Sequence, residues 1–585
     1  MPRNALSKPP HHRPAYKQAK AASGYEFSTG TGYQLPHYPF VEPPELAHGR
    51  TGGERIRHNI VIVGGGLAGL TLACALNQYG VKATLLDEDN PVGVKGASSR
   101  GICYAQKTLE IFKRLGIYDR IAAKGVQWSV GRTFAGDEEV YSFDLRQQST
   151  HNVSAQPPFI NIQQFYVEGF LVEQLYKTRQ TVDLRWSNRI TAFEQNANFA
   201  TLSITTPAGD YKIEAIHVID CSGARSPFRA WCQASVTAKK GDDRWCIADV
   251  RFKNPPPVER HTWIEAPFNE DRAVWQHLMA DGVWRIDYQM RPDADPEEVS
   301  REDVVRERIN GQLGRKVAPD EYEIVWVGPY AYRSECLDQL RHGRVFFVGD
   351  AAHVVSPFGA RGGNSGVQDA DNLAWKLAAV MQNRASPALL DSYQEERHEA
   401  ATHNVLVTNR TARFLRPADG AERVFRTAAI SLAKRHAFAR QLVNTGRMSA
   451  PNTYSRSSVC MPGGGRALQN VALQWADGSP GDVADLLTRA GGRLTLLLFG
   501  VPKGEQARRI KPLTQHTGIL CVNVLGTDMP ACVKEHVRDP AGHLAASVGG
   551  VGWALVRPDS YLAATGQRIN ADFANALSTA CGDAL

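Results

Sequence analysis

Ile60–Asp89 reads IVIVGGGLAGLTLACALNQYGVKATLLDED, and the fold is decided there. The apolar run Ile60–Val63 has the length and β-branched character of a buried strand. Gly64-x-Gly66-x-x-Gly69 then turns the chain into an apolar helix, and a second strand ends at Asp87. A glycine fingerprint between a strand and a helix, with an acidic residue closing the next strand, marks a βαβ unit that binds a dinucleotide. Gly64 allows the tight turn, Gly66 admits a pyrophosphate, and Gly69 lets helix and strand approach. The helix N-terminus presents unpaired N–H groups to the anion, and Asp87 is placed to accept from ribose hydroxyls.

A second glycine-rich loop lies almost three hundred residues on, in RVFFVGDAAHVVSPFGARGGNSGVQDADNLAWKL, Arg344–Leu377. Its strand ends at Asp350, where a carboxylate suits the ribityl hydroxyls that FAD has and NAD lacks. Pro357 to Gly366 leaves several backbone N–H groups open and lets a flat ring come close to the main chain. Asn364 or Ser365 is expected to cap the helix that follows, and its N-terminus would favour negative charge on a reduced flavin. One loop then holds the pyrophosphate and the other the reactive end of the same cofactor, FAD.

Composition agrees with a globular α/β chain of several domains: 585 residues, 43% hydrophobic and 22% charged. There is no run of eighteen apolar residues, so a membrane-spanning helix is not expected. The net charge of +7 is concentrated at the start, where Arg3, Lys8, Arg13, Lys17 and Lys20 stand before the first acid, Glu26. The rest is nearly balanced, which argues against a nucleic-acid partner. The 10 cysteines form no C-x-x-C pair and no cluster with histidine, so buried thiols in a reducing compartment are expected and no metal site. With no apolar leader at the amino terminus, the location expected is cytoplasmic.

The two loops, with LDSYQEERHEA at Leu390–Ala400, resemble the single-component FAD-dependent aromatic hydroxylases, in the branch of phenol hydroxylase and 3-(3-hydroxyphenyl)propionate hydroxylase. The resemblance covers about residues 58 to 585. It implies an enzyme in which NADH or NADPH reduces FAD, O2 is taken up, and a flavin C4a-hydroperoxide hydroxylates a phenolic or related aromatic small molecule, in catabolism. By the same resemblance Gly64, Gly66, Gly69 and Asp87 hold the ADP half. Arg100 lies near the pyrophosphate, Gln164 contacts the flavin side with Gln163 as the rival register, and Asp350 binds the ribityl chain. Pro357, Gly359, Gly362, Gly363 and Asn364 line the flavin ring and the oxygen site, with Pro357 counted among the catalytic residues, and His353 is positional. One departure stands out: in DCSGARSPFR, Asp220–Arg229, Ser222 occupies the place of the family's second aspartate, with Asp220 two positions earlier on the same strand face. That puts the usual handling of the reductant in doubt.

The expected architecture is a Rossmann-like FAD-binding domain with an interleaved β-sheet substrate domain and a C-terminal thioredoxin-like domain. The boundaries are an irregular tail (1–57), FAD-binding first part (58–240), substrate sheet (241–344), FAD-binding second part with helices (345–447), linker (448–480) and thioredoxin-like domain (481–585). The strand WRIDYQM alternates Trp284, Ile286, Tyr288 and Met290 against Arg285, Asp287 and Gln289, and one face must be core. His277 and Tyr288 are the candidates for the substrate side, His277 as a hydrogen-bond partner that helps form a phenolate. The C-terminal domain is expected in a structural or dimer-contact role, a homodimer being raised by analogy. The rival readings are an FAD oxidase or dehydrogenase without oxygen insertion, and a flavin-binding protein without turnover, which Ser222 alone encourages. A halogenase is disfavoured by the absence of a W-x-W-x-I-P stretch.

Overall fold

The computed structural model describes residues 15–18, 33–46, 56–90, 102–147, 153–178, 181–314, 318, 321–418, 420–443, 448–500, 504–525, 533 and 535–582. The cofactor lobe is built on the strand Arg57–Val63, which pairs in parallel with Ala83–Leu86 on one side and with Gly209–Asp220 on the other. Val182–Arg185 extends the sheet beyond Ala83–Leu86, and Val345–Phe347 returns from far along the chain to pair in parallel with Val218–Asp220. The helix Leu67–Gln78 has no polar face, and Leu70, Leu72, Ala73 and Leu76 are fully or almost fully buried. A helix apolar all round belongs in a core. Here it packs against the sheet and against the helices Gln164–Lys177 and Arg361–Met381.

The second lobe is an eight-stranded sheet whose central strands are Tyr322–Leu337, Val236–Phe252, Trp284–Gln289, Arg272–Leu278 and Arg260–Ala266. It also recruits Val130–Ala135 and Glu138–Asp144, with Val130–Ala135 lying parallel to Arg260–Ala266. The eight-stranded sheet is therefore wider than the block 241–344 expected for the substrate. Long-range pairing between strands more than a hundred residues apart leaves no local signature.

A third sheet is mixed. Leu494–Phe499 pairs in parallel with Ile519–Leu525 and antiparallel with Trp553–Val556, while Ala472–Trp475 joins at the other side. This places the start of the C-terminal unit ahead of residue 481. The expected linker is docked, with Tyr454, Leu468 and Val471 buried. Its Ser457 Oγ donates to Glu396 Oε1 at 2.5 Å. The long helix Asp391–Leu415 meets this unit through charge: Glu396 accepts from Lys376 Nζ at 2.7 Å and Arg557 Nη2 at 2.8 Å, all fully buried. Buried pairs of this kind cost much to break, because the survivor is left without a partner.

The expectation of an irregular tail also fails for residues 33–46. Tyr33, Leu35, Tyr38 and Leu46 are buried, and Tyr38 stacks on Trp186 at 5.2 Å. Glu45 pairs with Arg185 at 2.9 Å and with His58 at 2.9 Å. The prolines there mark the lack of periodicity, but they do not prevent single aromatic anchors from docking. Arg100 lies outside the described residues.

Candidate active site

The first glycine loop has the geometry its spacing demands. Gly64 sits at φ +103°, and a methyl there would meet the Cys221 carbonyl oxygen at 2.5 Å. A methyl on Gly69 would collide with the Gly64 carbonyl oxygen. Gly66 differs: a methyl there would meet only Glu168 Oε1, at 3.9 Å. That open side, at a helix N-terminus, suits a pyrophosphate. Asp87 closes the neighbouring strand and accepts from the Gly65 and Asp89 amides. Gln164 opens its helix and donates to Glu168 Oε1 at 2.7 Å, on the glycine-loop side. Gln163 instead faces the other lobe and donates to the Ala280 carbonyl at 3.1 Å, with its own Oε1 unpaired. Glu168 was not singled out from the sequence. Burial pushes its carboxyl up to about 7, the Gln164 hydrogen bond opposing and the nearby Asp87 charge adding to the rise.

The second loop packs directly on the first. Gly349 (φ +63°) and Gly366 both approach Ala68, and Gly363 lies near Leu67, so the two loops meet over the start of one helix. The expectation for the cap is corrected: the helix begins at Arg361, after Ala360 in the left-handed region (φ 56°), so neither Asn364 nor Ser365 is its cap. Asn364 reaches across instead. Its side chain donates to the Cys103 carbonyl at 2.8 Å and accepts from the Ala105 amide at 2.9 Å, fixing that strand beside the second loop. Non-glycine residues at positive φ persist where the surroundings hold them, and Pro357 does so here by accepting from the Ala360 amide. Gly359 accepts from Ser449, and Gly362 and Gly363 sit in the first helical turn; Asp350 does not end the strand Val345–Phe347, as expected, but is exposed in the short 3-10 turn Gly349–Ala351 that follows it.

Asp369, missed by the sequence reading, anchors this loop. It accepts from the Gly349 amide at 3.0 Å, from His353 Nε2 at 2.7 Å and from Arg397 Nε at 2.6 Å, fully buried. Burial would raise its carboxyl, but His353 and Arg397 overcome that and hold it down at about 2. His353 thus faces a structural carboxylate. Asp220 is similarly consumed inside its own turn, accepting from Ser222 Oγ at 2.6 Å and from Ser226 Oγ. Arg229, from the same stretch, donates to the Asp350 and Ala351 carbonyls at 2.9 Å and so ties this turn to the second loop.

Facing the second loop is the inner surface of the eight-stranded sheet. Phe358 lies edge-on to Trp275 at 5.0 Å, and Trp275 stacks on Trp245 at 4.7 Å. Strand register arranges this face in rows, because alternate residues share a side. One row runs Thr262, Trp275, Asp287, Ile247. The next contains His277, Arg285 and Asp249, and Arg260 lies on the same face of its strand, two residues before Thr262. All of these charged groups are buried. Arg285 Nε donates to Asp249 Oδ1 at 3.2 Å, and Tyr33 Oη, from the amino-terminal segment, donates to Asp249 Oδ2 at 2.8 Å. Burial, reinforced by Arg260 and Arg285, drives His277 well below the ordinary imidazole range, so it is neutral, and its Nδ1 has no hydrogen-bond partner. Burial pushes Asp287 up to about 6 against the pull of Arg285.

His277 is therefore on the face turned toward the second glycine loop, and Tyr288 is not. Tyr288 packs on the opposite face with Ile286, Val305 and Ile309, and its Oη donates to Gln312 Oε1 at 3.1 Å. Every residue of Trp284–Gln289 is buried, so alternation could not tell which face is core. The apolar face went under the helix Glu302–Gln312, and the charged face went toward the cofactor lobe.

Residues 57–408 match the FAD binding domain family. Para-nitrophenol 4-monooxygenase of Pseudomonas sp. (strain WBC-3) is 28% identical over 373 residues, covering 62% of this chain and 89% of that one. The 3-(3-hydroxy-phenyl)propionate/3-hydroxycinnamic acid hydroxylase of Mycolicibacterium smegmatis is 26% identical over 364 residues, covering 61% of each. Among solved structures, the flavin-dependent monooxygenase PieE in complex with FAD and substrate superposes with a TM-score of 0.74 at 23% identity, over 90% of this chain and 98% of that one. Aklavinone-11 hydroxylase with FAD and aklavinone gives 0.70 at 21% identity, over 89% and 98%, and both likenesses speak to the fold. The chain belongs to the FAD binding domain family, as an enzyme of the single-component FAD-dependent aromatic hydroxylases.

Proposed function

We propose that this enzyme uses NADH or NADPH and O2 to hydroxylate a phenolic small molecule held between the second glycine loop and the inner face of the eight-stranded sheet. The observation that carries the reading is the meeting of Phe358 with Trp275 beside buried His277, Arg285 and Asp287. Apolar walls with a few aimed polar groups are the build of a small-molecule site. The residues present fit FAD: an open Gly66 at a helix N-terminus, Asp87 directly after the strand Ala83–Leu86, Asp350 in the turn after Val345–Phe347, and the first turn of Arg361–Met381 with Gly362 and Gly363. Bound there, the flavin would supply two-electron reduction by a nicotinamide and activation of O2.

The chain's own part is to bind, orient and manage protons. Gly64, Gly66, Gly69 and Asp87 would hold the ADP half, Asp350 the ribityl chain, and Pro357, Gly359 and Asn364 the ring-side backbone. Trp245, Trp275 and Phe358 exclude water from the reacting ring. Asp287 is the group on this face suited to take the phenol proton, at a carboxylate oxygen that is ionised above about pH 6, while neutral His277 offers Nδ1 as a hydrogen-bond partner. Arg285 would then stabilise the phenolate, whose extra electron density favours attack by the ring. The proposal extends to a cytoplasmic homodimer, which size-exclusion mass measurement addresses.

The test loads the protein with FAD and follows NADH and NADPH oxidation across a panel of phenols, with peroxide and hydroxylated product quantified together. Reductant use stimulated by a phenol, with product matching it, is the expected result. Peroxide alone across the panel would refute it in favour of an oxidase.

A further inference from the structure

The helix Leu67–Gln78 carries no acidic residue in its first turn, yet a carboxyl group stands at its N-terminus all the same. Glu168 comes from the neighbouring helix Gln164–Lys177, and its Oε1 lies 3.9 Å from the place a methyl on Gly66 would take. The Leu67 amide, the first of the dinucleotide helix, faces the same carboxyl and favours its charged form. Glu168 thus borders the open side of Gly66, where a pyrophosphate sits at a helix N-terminus. It is 3% exposed, and its Oε1 accepts from Gln164 Nε2 at 2.7 Å.

The groups around Glu168 supply no positive charge. Gln164 is neutral, and Asp87, directly after the strand Ala83–Leu86, is a second acid that pushes the Glu168 carboxyl up. Tyr104, on the strand Cys103–Ala105, feels the Glu168 charge, and burial keeps both its hydroxyl and the Cys103 thiol protonated. Among the described residues no lysine, arginine or histidine stabilises the Glu168 carboxylate. Burial, with Asp87 adding to it and Gln164 opposing, leaves the carboxyl at about 7, so its neutral and charged forms are both populated near neutrality. A bound pyrophosphate brings further negative charge to the same spot. Like charges at close range disfavour ionisation of the acid, whereas a protonated carboxyl can donate to a phosphate oxygen.

We propose that Glu168 holds FAD as the neutral acid, donating its carboxyl proton to a pyrophosphate oxygen, so that binding of the cofactor above neutral pH takes up one proton. Neither substrate nor reductant is needed to see this, so it stands or falls apart from the hydroxylase reading.

The test dilutes the holoenzyme to equilibrium at a series of pH values from 6 to 8.5 and reads free FAD by its fluorescence. A single group that titrates at about 7 in the free protein, and stays protonated in the complex, makes Kd rise about tenfold from pH 6 to pH 8 and about 30-fold to pH 8.5. Calorimetric titration of the full chain stripped of FAD, in two buffers of different ionisation enthalpy, should count close to one proton taken up per FAD at pH 8 and about a tenth of one at pH 6. Glu168→Gln keeps the shape, the Gln164 contact and a donor, so its Kd should be flat across the range and about tenfold below that of wild type at pH 8. A wild-type Kd that does not change with pH, without proton uptake at pH 8, overturns the assignment and needs no variant to fold; an ionised Glu168 met by a cation would give that result. A slope that survives in Glu168→Gln also overturns it, because another group would then be titrating. The same holds if Glu168→Gln, folded by its tryptophan fluorescence, binds FAD more weakly than wild type at pH 8.

Discussion

Replacing Asp369 by Asn should loosen both the fold and the cofactor. Asp369 Oδ2 accepts from the Gly349 amide at 3.0 Å and His353 Nε2 at 2.7 Å, and Oδ1 accepts from Arg397 Nε at 2.6 Å. Two independent routes give the magnitude. Its carboxyl is lowered from 3.8 to about 2, which at about 1.4 kcal/mol per unit corresponds to roughly 2.5 kcal/mol. Removing one partner of a fully buried ion pair costs about 3–5 kcal/mol, because Arg397 is left uncompensated. The expected loss is thus about 2–5 kcal/mol. The pH dependence follows from the sign: a depressed acid contributes its stability above the unfolded value of 3.8 and loses it as pH falls toward about 2. Urea unfolding followed by tryptophan fluorescence should show the full gap between Asp369→Asn and wild type at pH 7, and a shrinking gap below about pH 4. Because Gly349 is untethered beside the first glycine loop, the variant should also release FAD more readily on ultrafiltration. An Asp369→Asn protein with wild-type stability at pH 7 and full FAD retention would refute the assigned role.

Gly69→Ala places a methyl against the Gly64 carbonyl oxygen and should abolish FAD retention, with overpacking of about 1–3 kcal/mol seen in thermal unfolding; a variant that keeps stoichiometric FAD contradicts this. Tyr288→Phe loses only the bond to Gln312 on the helix-covered face, so kcat/KM should stay within about twofold and stability should fall by about 0.5–1.5 kcal/mol. Asp287→Asn should act in opposite directions on stability and turnover. Its folded carboxyl is raised from 3.8 to about 6, so ionisation costs stability that grows as pH rises through that window, up to about 3 kcal/mol. The Asn variant should be more stable than wild type above about pH 6, equal to it below about pH 4, and slower in hydroxylation; a variant no more stable at pH 8 than at pH 4, relative to wild type, would count against the buried carboxylate.

The cofactor side of the molecule was legible because its signals are local. The run Ile60–Val63, the spacing of Gly64, Gly66 and Gly69, and the strand end at Asp87 lie within one βαβ unit, and backbone sterics permit few other conformations there. The second loop was legible in the same way as far as Pro357–Gly363, but the role of Asn364 was not. Its partners, Cys103 and Ala105, are remote in sequence, and the left-handed Ala360 moved the helix start.

The substrate side needed tertiary structure. Both faces of Trp284–Gln289 are buried, so alternation separated Arg285 and Asp287 from Tyr288 without showing which set faces the second glycine loop. That choice was made by the helix Glu302–Gln312, which covers the apolar face and leaves the charged one for the other lobe. Tyr33 stayed silent for the same reason: a tyrosine in a segment without periodicity acquires meaning only from Asp249, which folding brings beside it. Short-range sterics and periodicity therefore determined the dinucleotide-binding unit from the sequence by itself. The desolvation of charges between two lobes depends on which distant groups share a dry space, and only the tertiary structure decided that.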